Sequence, residues 1–424
     1  MRFVIVGCGS RHEMFVKALT VDYAGRHQLV GLCDLNPVRL HLSQALAAQA
    51  GVTVPGYDMV AFGQMLTDQR PDAVIVTTPD HLHARYIIDS LEAGCDVICE
   101  KPLTVDLPSL QAISAAQART GRRVTVTFNY RYAPARSQLH ELLDAGVIGT
   151  VTAVTFRWRL DRVHGADYFR RWHRQKANSG GLQVHKCTHH FDLLNWWLDT
   201  TPNDVAASGQ RAFYTPQTAE RLGLSGHSTR CATCPVAQKC DFRLDLDTTP
   251  RLKAMYRAAE GADGYFRDLC IWDPAIGIED TIQAHIRYAS GVSANYSLTA
   301  YAPQEGFDVT FIGTEGELSH SHDEVHGIFG GTRPKGLREA MRTTLHRSGH
   351  APEAIAIPEG GGDHGGADPV MLGYLLAPET MPAHAHLAAP DHMAGCWSVG
   401  TGLAVGAAIA SGQVVSVRDM VASV

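Results

Sequence analysis

Lysine is scarce in this 424-residue chain, with seven against thirty arginines. A position that keeps lysine is a candidate for something arginine cannot do, which is to give up a proton. A basic block is also missing. With a formal net charge of −6, the chain has no electrostatic footprint for nucleic acid. No apolar run approaches the length of a membrane span, so none is expected. The stretch Met1-Arg2-Phe3-Val4-Ile5-Val6 enters a strand pattern at once, without the layout of a secretory leader. A cytoplasmic location is therefore expected. There the ten cysteines read as free thiols or metal ligands rather than disulfides. What remains is an ordinary globular composition, 45% hydrophobic, long enough for two domains with cores.

One of the few lysines lies in Ile98-Cys99-Glu100-Lys101-Pro102. The run 96–99 reads as a buried strand, and Pro102 keeps Lys101 out of the helical region. That puts a long cationic side chain at the carboxyl end of a strand, where open α/β sheets place ligands. At the start of the chain, Phe3-Val4-Ile5-Val6 is followed by Gly7-Cys8-Gly9-Ser10-Arg11-His12 and a helical pattern. Gly7 permits the tight turn, and Gly9 lets backbone approach a pyrophosphate at a helix N-terminus. His12 replaces the third glycine of that fingerprint. A second strand, 28–33, ends at Asp34. An acid there binds ribose hydroxyls and disfavours a 2′-phosphate, so NAD is expected over NADP, with Arg39 nearby leaving some room for NADP. Strands at 73–77, 96–99 and 124–128 alternate with helical stretches 39–50, 82–93 and 107–120. Alternating strand and helix implies a doubly wound parallel sheet. Thr78-Pro79-Asp80-His81-Leu82-His83 lies at a strand-to-helix junction, where Asp80 reads equally well as a plain N-cap.

Gly7-x-Gly9, Asp34, Thr78-Pro79-Asp80-His81-Leu82-His83 and Glu100-Lys101-Pro102, in this order, resemble the Gfo/Idh/MocA family of glucose–fructose oxidoreductases and inositol dehydrogenases. The likeness covers the first 130 residues well and continues more loosely beyond them. It implies an α/β chain: an NAD-binding Rossmann domain over 1–128, then an α+β domain over 129–424 with an open, mainly antiparallel sheet. The free face of that sheet would form a homo-oligomer contact. Cofactor contacts are expected from Gly7, Gly9, Ser10, Arg11, His12 and Asp34. Thr77, Thr78, Pro79 and His83 would follow from the third of these strands, and Glu100, Lys101 and Asn129 from the next two. A sugar or polyol would lie between the domains.

In the second domain, Leu182 to Leu198 reads as a helix, with His185, His189 and Asp192 spaced by four and three on one side. Three readings are open: a polar helix end with satisfied histidines, a metal site, or catalysis. The resemblance implies an acid and, four residues on, a histidine. His189 matches the histidine, and His185 stands in the acid's place. Tyr130, Arg131 and His364 join Lys101, His185 and His189 as expected substrate contacts. Arg171, Lys176 and Arg267 read either as partners of an anionic group or as surface and cofactor charges.

Between about 204 and 273 lies an insertion-like segment with Cys231, Cys234, Cys240 and later Cys270. That spacing suits one tetrahedral ion, and four protein ligands make a closed, structural site. Structural zinc is the expected occupant, an iron–sulfur cluster is the alternative, and unrelated thiols are the bland reading. In the last third, 281–288 and 292–299 form a hairpin, 308–312 and 316–319 are further strands, 352–366 is loop, and 403–411 is a small-residue helix.

The expected reaction is hydride transfer from a carbinol to nicotinamide. Lys101 is the base, its pKa lowered by burial and raised by Glu100; His189 lies beside the same hydroxyl, and His185 assists. Two other readings follow from the resemblance: an NAD-dependent glycosidase working by transient oxidation, elimination, hydration and re-reduction, and a non-catalytic nucleotide-binding protein.

Overall fold

A computed structural model describes residues 1–325, 338–358, 360 and 366–424. The apolar, β-branched runs of the first third form β1 (Arg2–Val6), β2 (Gln28–Cys33), β4 (Ala73–Val76), β5 (Asp96–Cys99) and β6 (Val124–Val126). The sequence pattern missed β3 (Gly56–Tyr57), whose two residues carry no periodicity. The order β3-β2-β1-β4-β5-β6 is parallel throughout. Strand order reverses between β1 and β4, so the ligand crevice of this sheet lies beyond their carboxyl ends.

The second sheet has nine strands in the order β14-β13-β12-β11-β7-β10-β9-β8-β15. They are β7 (Val151–Asp161), β8 (Pro202–Gln210), β9 (Thr281–Tyr288), β10 (Ser293–Ala302), β11 (Glu305–Gly313), β12 (Gly316–Glu324), β13 (Ala340–Arg347), β14 (Glu353–Ile355) and β15 (Val415–Ser416). Among the described residues, only β7 and β10 of this sheet pair in parallel. The expected hairpin is β9–β10, turning at Gly291 with φ +91°. Burial alternates along these strands, because one face packs on helices and the other meets solvent. The buried face centres on Trp158, which stacks on Phe307 and on His190.

Several expectations change. The stretch 352–366 is not all loop, since β14 pairs with β13; three residues at a sheet edge are too short to show a pattern. Strand β8 belongs to the sheet, so the cysteine-rich segment starts after it. The helix over 182–198 is two helices, Leu182–His185 and Cys187–Trp197, broken at Lys186. The small-residue helix runs over His392–Ser411, and at 20 residues with mean hydropathy 1.5 it has the length and composition of a membrane span. The expectation that no run approaches a span fails here, because alanine, glycine and valine dominate the helix. Yet 56% of it is buried, against β8, helix Cys187–Trp197 and the Rossmann layer. Gly395 makes the last contact possible: a Cβ there would lie 2.9 Å from Leu103 and 3.0 Å from Val126.

The cysteine-rich segment carries short helices, Pro216–Arg221, Pro250–Leu252 and Glu260–Asp263, and a small core of Leu244, Leu246, Leu252, Met255 and Tyr256. Leu42 of helix Pro37–Gln49 packs into that core, so the segment rests on the Rossmann domain.

Candidate functional site

The turn after β1 is held open from below. Gly7 has φ +95°, and a Cβ there would meet Thr78 N at 2.6 Å. Thr77 Oγ1 donates to Gly7 O at 2.6 Å. Asp34 Oδ2 accepts from Cys8 N at 2.6 Å, and its Oδ1 accepts from Asn36 N at 2.6 Å. Burial raises the Asp34 carboxyl above the usual carboxylate range, while these backbone donors and Arg39 act against that. Beside Gly9, space is open for 4 Å around a built Cβ. The Thr78 hydroxyl and the Asn129 amide oxygen are buried without hydrogen-bond partners. A pocket with a glycine cradle and orphaned polar atoms at the switch point fits a dinucleotide.

Two expected cofactor contacts face inward instead. His12 is buried, with Nε2 2.7 Å from Ser43 Oγ and Nδ1 hydrogen-bonded to Gly9 O. Where the fingerprint uses a third glycine for close helix packing, this chain inserts an imidazole. His83 is also buried, spanning Pro102 O at 2.7 Å and Thr78 O at 2.9 Å. It ties the ends of β4 and β5 together. Ser10 opens the helical turn Ser10–His12, and Pro79 caps the turn Asp80–Leu82. Arg11 donates to Glu100 at 2.6 Å and to Asp368 at 2.9 and 3.2 Å. Asn129 Nδ2 donates to the same Asp368 at 2.7 Å. This knot joins the Rossmann turn to helix Ala367–Leu376 of the second domain.

Across the crevice stands Lys101. Its Nζ donates to His185 O at 2.9 Å and lies 3.4 Å from His185 Nε2. On the other side of the ring, His185 Nδ1 lies 2.5 Å from Asp80 Oδ2. Asp80, Lys101 and His185 form one polar chain from the Rossmann domain into the second. Asp80 is thus no helix cap: its carboxylate faces His185. Burial lowers the Lys101 ammonium to about 8, with Asp80 raising it, Lys186 lowering it and Glu100 raising it less. Burial pushes His185 well below the imidazole range, helped by Lys101, His173 and Arg171, so it is neutral. Burial raises Asp80, with Lys101 and Arg171 pulling it back. Tyr168, Trp172 and His173 wall the His185 ring, at centroid distances of 5.5, 5.7 and 4.2 Å. Nothing in the sequence pattern singled out these three: Tyr168 lies in helix Arg162–Arg170, and Trp172 and His173 in the short turn after it.

The remaining expected residues are drawn elsewhere. His189 stacks on the Tyr130 ring at 4.0 Å and 11°, and the Tyr130 hydroxyl accepts from Lys186 Nζ at 2.8 Å. Arg131 grips Asp192 with two bonds, at 2.7 and 2.5 Å. His185, His189 and Asp192 therefore have three different partners, and among the described residues they form no metal-donor group. Arg267 pairs with Asp167 at 2.6 Å, Arg171 with Asp167 at 3.3 Å, and Lys176 with Glu279. His364 lies outside the described residues. Cys231, Cys234, Cys240 and Cys270 line one cavity, but among the described residues they do not bring three donor atoms within 4.8 Å of one another, as a zinc ion requires.

Comparison with known proteins decides the family. Residues 1–128 match the model of the Gfo/Idh/MocA oxidoreductase family with the NAD-binding Rossmann fold, and residues 140–356 match its C-terminal α/β domain. The chain belongs to this family. YteT of Bacillus subtilis (strain 168) is 32% identical over 98% of both chains. Inositol 2-dehydrogenase of Rhizobium meliloti (strain 1021) is 28% identical over 49% of this chain and 58% of its own. Among solved structures, the WlbA dehydrogenase of Bordetella pertussis, in complex with NADH and UDP-GlcNAcA, superposes with a TM-score of 0.64 over 98% of both chains at 19% identity, which is a likeness of fold. The first domain of this family member is an NAD-binding domain.

Proposed function

We propose that this oxidoreductase transfers a hydride between NAD and a hydroxyl-bearing carbon of a sugar, polyol or sugar derivative, with Lys101 as the base. The observation that carries the reading is the Lys101 amine, lowered to about 8 and set against neutral His185 at the mouth of the cofactor crevice. NAD+, when bound, supplies the hydride acceptor. Lys101 in its unprotonated form takes the hydroxyl proton through its lone pair. His185 Nε2 faces the same nitrogen, and with Nδ1–H donated to Asp80 it is free to accept a proton from the lysine. At pH 7, with a pKa of about 8, roughly a tenth of Lys101 is unprotonated, enough for a general base. His189 packs flat on Tyr130, so its part is to shape the pocket. Relatives that act on inositol, and a fold neighbour that binds a sugar nucleotide, support a polyhydroxylated substrate.

The open face of the second sheet is the proposed homo-oligomer contact. It carries ion pairs such as Arg157–Asp308 at 2.7 Å and Arg287–Asp204 at 2.7 Å, so that contact is polar.

The test is a panel of inositols, aldoses, sugar nucleotides and glycosides with NAD+, read by NADH formation. At least one compound is expected to give turnover, lost by about 10²–10⁴-fold in Lys101→Met with NAD binding retained. Near-normal turnover in Lys101→Met removes the lysine from the mechanism. Aglycone release without net NADH moves the assignment to the glycosidase.

A further inference from the structure

The cysteine-rich segment gathers four thiols around a cavity of its own. Cys231 opens the helical turn Cys231–Thr233 and Cys234 follows it. Cys240 follows the turn Ala237–Lys239, and Cys270 lies beside the bridge between Arg230 and Leu269. All four are free thiols lining one cavity. His227 Nδ1 lies 3.4 Å from Cys270 Sγ. Arg170, 5% exposed, lines the same cavity. Its Nη2 donates to Phe242 O at 3.0 Å, whereas its Nη1 is buried with no hydrogen-bond partner. A buried guanidinium nitrogen without an acceptor is costly. An anionic group in the cavity satisfies it.

Spacing separates two kinds of centre. Four thiolates at about 2.3 Å from one zinc ion stand roughly 3.8 Å from each other. Among the described residues, these thiols do not bring three donors within even 4.8 Å. They surround a cavity rather than a point. In a cube of four irons and four sulfides each cysteine binds a different iron, so the thiolates stand farther apart than around one ion. We propose that Cys231, Cys234, Cys240 and Cys270 hold a four-iron, four-sulfide cluster, with Arg170 Nη1 turned toward its negative charge. Binding exchanges four thiol protons for four iron–thiolate bonds. All four outer positions are taken by protein, so the cluster is structural. It fixes the segment against helix Arg162–Arg170, whose Tyr168 meets the His185 ring.

The experiment is iron, sulfide and zinc analysis of the full chain, purified without oxygen from iron-replete cells. About four irons and four acid-labile sulfides per chain are expected, with broad visible absorption. Cys240→Ser and Cys270→Ser are expected to lose most of both. One zinc per chain without iron overturns the cluster, and so do all metals well below one per chain. Arg170→Gln leaves all four ligands in place and keeps the test open if the serine variants do not fold. It is expected to lose the visible absorption several-fold faster under a chelator. Unchanged loss removes Arg170 from the centre.

Discussion

Asp80 shows what a side chain's neighbours decide that its position in the chain does not. At a strand-to-helix junction an aspartate is equally a cap or a site residue. Here it caps nothing and lies against His185, 105 positions away. Its charge raises the Lys101 pKa, against the lowering by burial. With Lys101 as the proposed base, active when unprotonated, activity in the oxidation direction is expected to fall about tenfold per pH unit below about 8. Asp80→Asn removes the raising charge but keeps an oxygen for His185 Nδ1–H. The acid limb of kcat/KM against pH is expected to move to lower pH, with kcat at high pH changed less than about threefold. A pH–rate profile checks this, and a limb that moves upward contradicts the assigned coupling. Lys101 itself was legible from its strand-end place. The different surroundings of His185, beside Asp80, and His189, stacked on Tyr130, were not, because a 4-3 spacing on an unbroken helix presents both alike.

Among the elements, the long alternating runs were legible: β1, β2, β4, β5, β6 and the β9–β10 hairpin all follow from period and turn residues. Gly56–Tyr57, Glu353–Ile355 and the turn Trp172–Arg174 beside His185 were not, since two or three residues carry no period and are fixed by their neighbours. Least legible was where the cysteine-rich segment packs, which depends on contacts far apart in sequence. Its helix Glu260–Asp263 lies against the start of helix Pro37–Gln49, next to Asp34 at the end of β2. Asn36 Nδ2 donates to Ala259 O at 2.9 Å, and Arg39 pairs with Asp263. Arg39 lies 3.7 Å from Asp34, where a 2′-phosphate would stand. Asp263 thus holds Arg39, the cation beside Asp34 that would welcome NADP. Asp263→Ala is expected to raise affinity for NADP+ relative to NAD+ by about tenfold, roughly 1.4 kcal/mol. Titration of the full chain with each dinucleotide measures it. An unchanged ratio shows that Arg39 does not reach the 2′ position.

At the scale of the whole molecule, the two sheets share one core. The main buried cluster runs from Val4 and Val76 in the first sheet to Trp158 and Phe311 in the second. Helix His392–Ser411 bridges them, with Val126 N donating to Pro390 O just before it and Cys396 beside Ser114. A core continuous across two domains predicts that they unfold together, not in sequence. The chain allows a direct test, because all six tryptophans lie after residue 150. Tryptophan fluorescence reports the second domain alone, and far-ultraviolet circular dichroism reports both. The two melting curves are expected to coincide. Gly395 is where this joint is tightest, since any Cβ there meets Leu103 and Val126. Gly395→Val forces those layers apart at an estimated cost of about 1–3 kcal/mol. Both curves are expected to move down together. A variant that separates them, leaving the fluorescence transition in place while the dichroism acquires an earlier step, would show that the domains fold independently and that the helix merely rests on the first sheet.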